Sequence, residues 1–322
     1  MPPVIPFDDH NFFLTFLVTV LLQLSCFAIA WTCQFDKITD LAGSINFILL
    51  ALLSLFTNNT TSTIQPRAIL LTACLCVARL ELALYLFYRV LKRGKDARFD
   101  ELRSQFIPFL IFWIFQIIWV WLVSLPVIFV NSESSLAPLA LFSDGRDIFG
   151  IILFIIGFMT QVVSDLQKDA FRANTANKEL VCDVGIWRYS RHPNFFGEIA
   201  MWWGIVSMAA PQLDASLSRW GWVVVLSPLF TMLILLFGSG IPTAEGNNQL
   251  RFMKTPEAKA RYEAYRWRTS PLIPLPNFLY ASTPLIIKRW LLFELERYEV
   301  VYNDDQQKEN PTASTKLVSN ES

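Results

Sequence analysis

The feature that most constrains this fold is a succession of apolar runs, each close to the length needed to cross a bilayer. Crossing the hydrocarbon as a helix takes about 20 apolar residues. Within lipid every backbone polar group must find its partner inside the structure, which leaves helices or closed barrels. The candidate spans are residues 12–31, 42–57, 68–91, 106–130, 148–163, 195–210 and 220–240. The second, fifth and sixth are short, so the pattern predicts about seven transmembrane helices, within a range of six to eight. Only 17% of the residues are charged, against about 25% in soluble domains. The 27 Phe and 11 Trp suit helices whose ends meet lipid headgroups. A net charge of zero exerts no general pull on nucleic acid, so no nucleic-acid partner is expected. The fold class is therefore an all-α integral membrane protein.

Basic residues set the orientation. They cluster after the third run (Lys92, Arg93, Lys95, Arg98, Arg103), after the fifth (Lys168, Arg172, Lys178, Arg188, Arg191) and after the seventh (Arg251, Lys254, Lys259, Arg261, Arg266, Arg268). The intervening connections are nearly free of Lys and Arg. By the positive-inside rule the N-terminus is lumenal and the C-terminus cytosolic. Two overlapping sequons, beginning at Asn58 and Asn59, fall on the lumenal side. Residues 1–9 lack the basic stretch of a cleavable signal peptide, so the first run reads as a retained span. Residues 1–147 form an N-terminal transmembrane half facing the substrate. Residues 148–302 form a second domain carrying the polar motifs, with 290–295 read as lying on the membrane surface. Residues 303–322 read as a disordered tail.

The densest chemistry lies in Gly185-Ile186-Trp187-Arg188-Tyr189-Ser190-Arg191-His192-Pro193-Asn194-Phe195-Phe196-Gly197-Glu198, at the mouth of an apolar run. Placing such groups at a membrane boundary is costly unless each has a partner. A ligand with negative charge and hydrogen-bonding edges accounts for them economically. Just upstream, Lys168 and Arg172 are four residues apart on a helix continuing from the fifth run, so they share a face suited to phosphate. Positive-inside topology with headgroup contact is the bland alternative. Tyr262 and Tyr265 share a face three apart, suited either to a flat ligand or to anchoring a helix at the interface. Glu81, Tyr85 and Arg89 recur at i, i+4, i+8 inside the third run, where an ionisable group points to a cavity or an internal partner. Gln116 and Gln161 either line that cavity or hydrogen-bond between helices. The five cysteines form no C-x-x-C pair, and with only His10 and His192 to join them no metal site is expected. Neither a dinucleotide-binding glycine fingerprint nor a P-loop occurs, so any nucleotide is held by side chains among helices.

These residues resemble the steroid 5-alpha-reductase-like membrane protein family, in a branch carrying the W-x-Y-S-R-H-P-N-x-F-G-E signature. The matching positions run from Asp165, Lys168, Phe171, Arg172 and Asn177 through Cys182, Asp183, Trp187 and Tyr189 to Glu198. They continue with Trp202, Trp203, Gly204, Ser239 to Pro242, Glu245, Tyr262, Tyr265, Arg268, Thr269 and Pro274. The resemblance implies an endoplasmic-reticulum membrane enzyme whose helices enclose NADPH. Lys168 and Arg172 would meet its 2′-phosphate. Trp187, Arg191, His192 and Asn194 would meet the adenosine and pyrophosphate, and Glu198, Tyr262 and Tyr265 the nicotinamide and ribose side. The implied reaction reduces a C=C bond conjugated to a carbonyl in a hydrophobic lipid or steroid-like enone drawn from the bilayer. Glu81 and Tyr85 are the stand-ins, by location, for the groups that handle the substrate carbonyl and proton. Phe195 departs from the branch, which usually has Tyr there. Two alternatives stand beside this one: an S-adenosylmethionine-dependent membrane methyltransferase, which also uses an R-H-P motif, and a non-catalytic lipid- or sterol-binding membrane protein.

Overall fold

The computed structural model describes residues 8, 10–34, 38–57, 65–93, 104–132, 144–177, 179–215 and 221–298. The sequons, Lys95, Arg98, Arg103, Lys178 and the polar tail lie outside them. Among the described residues every regular element is helical, and the one isolated β-bridge joins Ser190 to Ser270. The long helices are α1 (Phe12–Cys33), α2 (Ile38–Thr57), α3 (Pro66–Arg93), α4 (Phe106–Asn131), α5 (Gly145–Ala173) and α6 (Pro193–Ala215). A 3-10 turn, Gly221–Val225, leads into α7 (Leu226–Phe237). Four shorter helices follow: α8 (Ile241–Phe252), α9 (Pro256–Arg268), α10 (Asn277–Ser282) and α11 (Leu285–Leu291).

Six of the described segments are long and apolar enough to cross a membrane: Phe12–Cys33, Ile38–Thr57, Pro66–Arg89, Phe106–Asn131, Gly145–Ala173 and Gly221–Phe252. The sixth expected span, α6, is not one of them. At about 1.5 Å per residue its 23 residues reach roughly 35 Å, but it carries Glu198, Gln212 and Asp214. Protein surrounds it instead, since α3, α4, α5 and α7 all pack on it. A polar load unsuited to lipid is accommodated in the middle of the bundle.

The membrane helices are apolar outside and partly polar inside. The buried stripe of α1 is Thr15, Thr19 and Gln23, while Leu17, Leu21 and Leu24 stand exposed. Gln23 Nε2 donates to Asn46 Oδ1 on α2 at 3.0 Å. Asn131 at the end of α4 donates to Ala51 O and Ser54 Oγ on α2 and to Thr72 Oγ1 on α3. Gln116 donates to Thr39 O at 3.0 Å, so it ties α4 to α2. Hydrocarbon offers no hydrophobic drive for helices to associate, so such hydrogen bonds and close packing take over.

The tightest packing joins α5 to α6. Gly150 and Gly157 on one helix face Gly204 and Gly197 on the other, in antiparallel order. A Cβ on Gly157 would lie 2.6 Å from Gly197 O and 2.7 Å from Met201 N, so only hydrogen fits between the two backbones. At one end of the bundle, buried Arg67 on α3 donates to Asp147 on α5 at 2.5 and 2.9 Å, and to Met208 O on α6. At the other end Tyr85 on α3 faces Asp165 on α5. These two links make α3 and α5 parallel, so the expected basic ends of both helices lie on one side of the bundle. The short helices α8–α11 share that side, because Tyr298 donates to Leu236 O at the end of α7 and packs with Ile199 near the start of α6.

Candidate functional site

The signature loop is built on a turn that only glycine makes easily. Gly185 has φ +56, and an added Cβ would collide with the Gln167 side chain at 2.2 Å. That side chain accepts from Ile186 N, fastening the loop to α5. A 3-10 turn, Gly185–Arg188, then buries Trp187, whose Nε1 donates to Ser164 O at 2.7 Å. The loop is laced on its other side to the segment after α9. Arg191 N donates to Ser270 O, Ser190 Oγ to Leu272 O, and Leu275 N to Tyr189 O. Pro271, Pro274 and Pro276 lie in this irregular return, beyond the end of α9.

Two carboxylates organise the interior beneath the loop. Glu245, fully buried on α8, accepts from His192 Nε2 at 2.9 Å and from the Tyr262 hydroxyl at 2.9 Å. Arg191 Nη1 and Arg266 Nε stand 3.5 and 3.6 Å from the same Glu245 oxygen. Glu294 pairs with Arg191 Nη2, accepts from the Tyr280 hydroxyl, and lies 3.8 Å from Arg266 Nη2. Two guanidiniums against two carboxylates leave the hub electrically balanced, which is what allows it to be buried. Burial pushes the pKa of His192 down, and this outweighs the upward pull of its hydrogen bond to Glu245. The imidazole is therefore neutral at pH 7. Since a carboxylate only accepts, Nε2 carries the proton. For Arg191, burial disfavours the charge but Glu245 and Glu294 more than offset it, so its pKa rises. Burial, reinforced by the neighbouring carboxylates, lifts Tyr262 and Tyr280 well above the usual phenol range.

The structure thus brings together most of the residues singled out from sequence, in three neighbouring groups. Arg191, His192 and Tyr262 belong to the hub, with Tyr265 beside them donating to Trp187 O at 2.7 Å. Phe195 stacks on His192 with ring centroids 5.4 Å apart, filling by packing the place where a tyrosine was the family pattern. The second group is cationic. Lys168 Nζ sits 4.1 Å over the Trp187 ring, within electrostatic reach of both Arg172 and Arg89. The third is a junction of α3, α5 and α6, where Glu81, Asp165 and Glu198 interact electrostatically and the Tyr85 hydroxyl lies 3.5 Å from Asp165 O. Glu81, Tyr85 and Glu198 are each partly accessible there. Asn194 opens α6 between the groups, and its buried Oδ1 has no hydrogen-bond partner.

Sequence reasoning missed three partnerships. Arg79 is buried between the rings of Phe47 and Trp202, 4.7 and 4.9 Å from their centroids, and pairs with Glu198. Trp202 Nε1 also donates to Glu198, at 2.8 Å. Glu294 is the second, readable only as a lone acid inside Leu291-Leu292-Phe293-Glu294-Leu295. Asp147, the partner of Arg67, is the third. Among the described residues no group of three or more His, Cys, Asp or Glu is arranged to hold a metal ion. An open cleft of 180 Å³ lies between residues 179–181 and α8–α9, floored by Phe252 and Tyr262. It is below the roughly 300 Å³ of a drug-sized ligand site.

Fold and site together define an all-α protein of membrane-spanning type, with a polar, charge-balanced layer at one end of its bundle. The model of the family described as "Protein of unknown function (DUF1295)" matches residues 26–269, and the chain belongs to that family. Neither a curated protein nor a solved structure matches it.

Proposed function

We propose that this protein is an NADPH-dependent reductase of a conjugated C=C bond in a hydrophobic lipid or steroid-like enone, working in the endoplasmic reticulum membrane with α8–α11 in the cytosol. The observation that carries this reading is the cationic group on α3 and α5. Lys168 is repelled by Arg172 and Arg89, is drawn to Asp165, and caps an indole face. A phosphate supplies a counter-charge to this group, beside the buried Trp187 ring that seats the Lys168 ammonium. The residues fit the cofactor in charge, and the buried Asn194 Oδ1, which has no hydrogen-bond partner, is suited to its hydrogen-bonding edges. NADPH supplies the hydride.

The chain's own groups divide into those that touch ligand and those that hold them. Lys168 and Arg172 bind phosphate and Asn194 orients the nucleotide, while Trp187, buried beneath Lys168, positions that ammonium. Arg191, His192, Tyr262 and Tyr265 are committed to Glu245, Glu294 and backbone carbonyls, so they act by fixing the loop that bears Trp187 and Asn194. Glu198, locked by Arg79 and Trp202, fixes the wall of the α3–α5–α6 junction. Within it the Tyr85 hydroxyl and the Glu81 carboxyl are the groups able to hold a proton beside a substrate carbonyl.

The test is the pair Lys168→Ala and Arg172→Ala. Loss of a charge-assisted phosphate contact costs about 1.5–3 kcal/mol, so NADPH affinity should fall tenfold or more with NADH affinity little changed. Equal losses for both nucleotides refute the phosphate role. One observation favours a second reading, a non-catalytic lipid- or sterol-binding protein: the hub's guanidiniums and carboxylates balance one another in charge and hold the loop whether or not a nucleotide binds. Absence of any nucleotide effect, with binding of a sterol or enone intact, would select it.

A further inference from the structure

The end of the described chain carries an apolar surface that the interior does not use. Trp290 is 80% exposed and Phe278 78%, with Ile286, Leu285, Leu291 and Trp267 also open. A soluble surface seldom leaves so much contiguous apolar area uncovered. We propose that α10, α11 and the outer edge of Trp267 form an interfacial foot that docks in the headgroup layer of the bilayer beside α6 and α7, with membrane lipid as its occupant.

Placement is the first argument. Phe293 adopts a left-handed conformation, φ 60, that turns the chain back immediately after α11. Phe293 and Leu295 then pack with Ile199 and Leu236, and the Tyr298 hydroxyl donates to Leu236 O at 3.0 Å. Ile199 lies near the start of α6 and Leu236 near the end of α7, so α11 is held at the level where both helices leave the hydrocarbon. α7 likewise leaves Leu229, Leu233 and Phe237 exposed. The segment read from sequence as surface-lying, 290–295, is thus divided: Trp290 and Leu291 face outward, while Phe293 and Leu295 turn in.

Charge is the second argument. The only charged residues of α11 are Lys288 and Arg289, both cations. The Lys288 ammonium turns inward over the Tyr280 ring at 4.3 Å, which leaves the outer side to Leu285, Ile286, Trp290 and Leu291. Arg289, paired with Glu296 at 2.6 Å, borders this face, and an apolar helix face carrying tryptophan beside charged groups is the composition of an in-plane membrane helix. Residues 303–322 are a poor alternative cover, since they hold only Leu317 and Val318 as large apolar side chains. Docking also bears on the hub, because Glu294 N donates to Lys288 O and its carboxylate closes on Arg191. Lipid contact by α11 therefore helps hold Glu294 in place.

The test uses the full chain in lipid nanodiscs, with the five native cysteines replaced by alanine and a fluorophore on Trp290→Cys or Ile286→Cys. Lys254→Cys, in the polar loop between α8 and α9, is the aqueous control. Docking predicts strong quenching at both α11 positions by lipids bearing a nitroxide at headgroup depth, and iodide quenching several-fold weaker than at the control. Iodide quenching equal to the control overturns the proposal. So does protection from both quenchers, which would mean that protein, a partner or a second copy, covers the face.

Discussion

Replacing Glu198 with methionine removes the one carboxylate, among the described residues, that pairs with a guanidinium buried in the middle of the bundle. The side chain of Arg79 is 2% exposed and that of Glu198 14%. Two unit charges in contact attract by about 4 kcal/mol at an effective dielectric of about 20. Breaking a buried pair from one side costs about 3–5 kcal/mol, since the remaining charge keeps its desolvation penalty. The aromatic sandwich of Phe47 and Trp202 is kept and so cancels in the difference, and its ring faces hold the stranded guanidinium at the low end of that range, about 3 kcal/mol. Trp202 Nε1 loses its acceptor, adding about 1 kcal/mol. The net expectation is about 4 kcal/mol. At about 2 °C per kcal/mol for a chain this long, Tm should fall by roughly 8 °C. Methionine at both Arg79 and Glu198 removes both charges and should restore most of the loss, giving a coupling of about 2 kcal/mol. Thermal unfolding in nanodiscs, followed by tryptophan fluorescence, measures all four proteins of the cycle. A single substitution that leaves Tm unchanged, or a double substitution whose effect is the sum of the two singles, would refute the account of Arg79 as a buried cation dependent on Glu198.

Two further outcomes follow from the packing and the hub. Gly157→Ala should lower stability by about 1–3 kcal/mol despite alanine's better helix propensity, because the methyl meets backbone rather than a movable side chain. Gly145→Ala, at a glycine with open space around it, is the neutral control in the same unfolding assay. For His192 the folded pKa lies below that of the unfolded chain, about 6.5. Its contribution to stability is therefore present above about pH 6.5 and lost as pH falls toward the folded value, where only the unfolded state has taken up the proton. Tm measured between pH 7.5 and 5 should fall for the native protein and fall less for His192→Gln, which keeps a donor for Glu245. Identical slopes would contradict a neutral, buried His192.

The membrane architecture was legible because lipid imposes one rule on every span, and apolar length reports it directly. The fifth run shows where that signal ends. Hydropathy stops at Val163, yet α5 continues to Ala173 because Asp165, Lys168 and Arg172 sit on ordinary helix beyond the hydrocarbon. In α6 the rule weakened for a different cause, since a helix wrapped in protein need not be apolar all round. The motif residues were legible as a group, but their partners were not. Charge and spacing marked Arg191, His192 and Tyr262, whereas their shared hold on Glu245 depends on how α8 and α9 fold over the loop. Arg79 and Glu198 are 119 residues apart, and nothing local to either one announces the other.

The most direct test of the proposed cofactor is the thermal stability of the purified native protein with NADPH, NADH or S-adenosylmethionine at equal concentration. At a hundredfold excess over Kd a ligand of the native state stabilises by about 2.7 kcal/mol. The account predicts a clear rise in Tm with NADPH, a smaller one with NADH and none with S-adenosylmethionine. A rise with S-adenosylmethionine alone, or no response to either nicotinamide nucleotide, would contradict it.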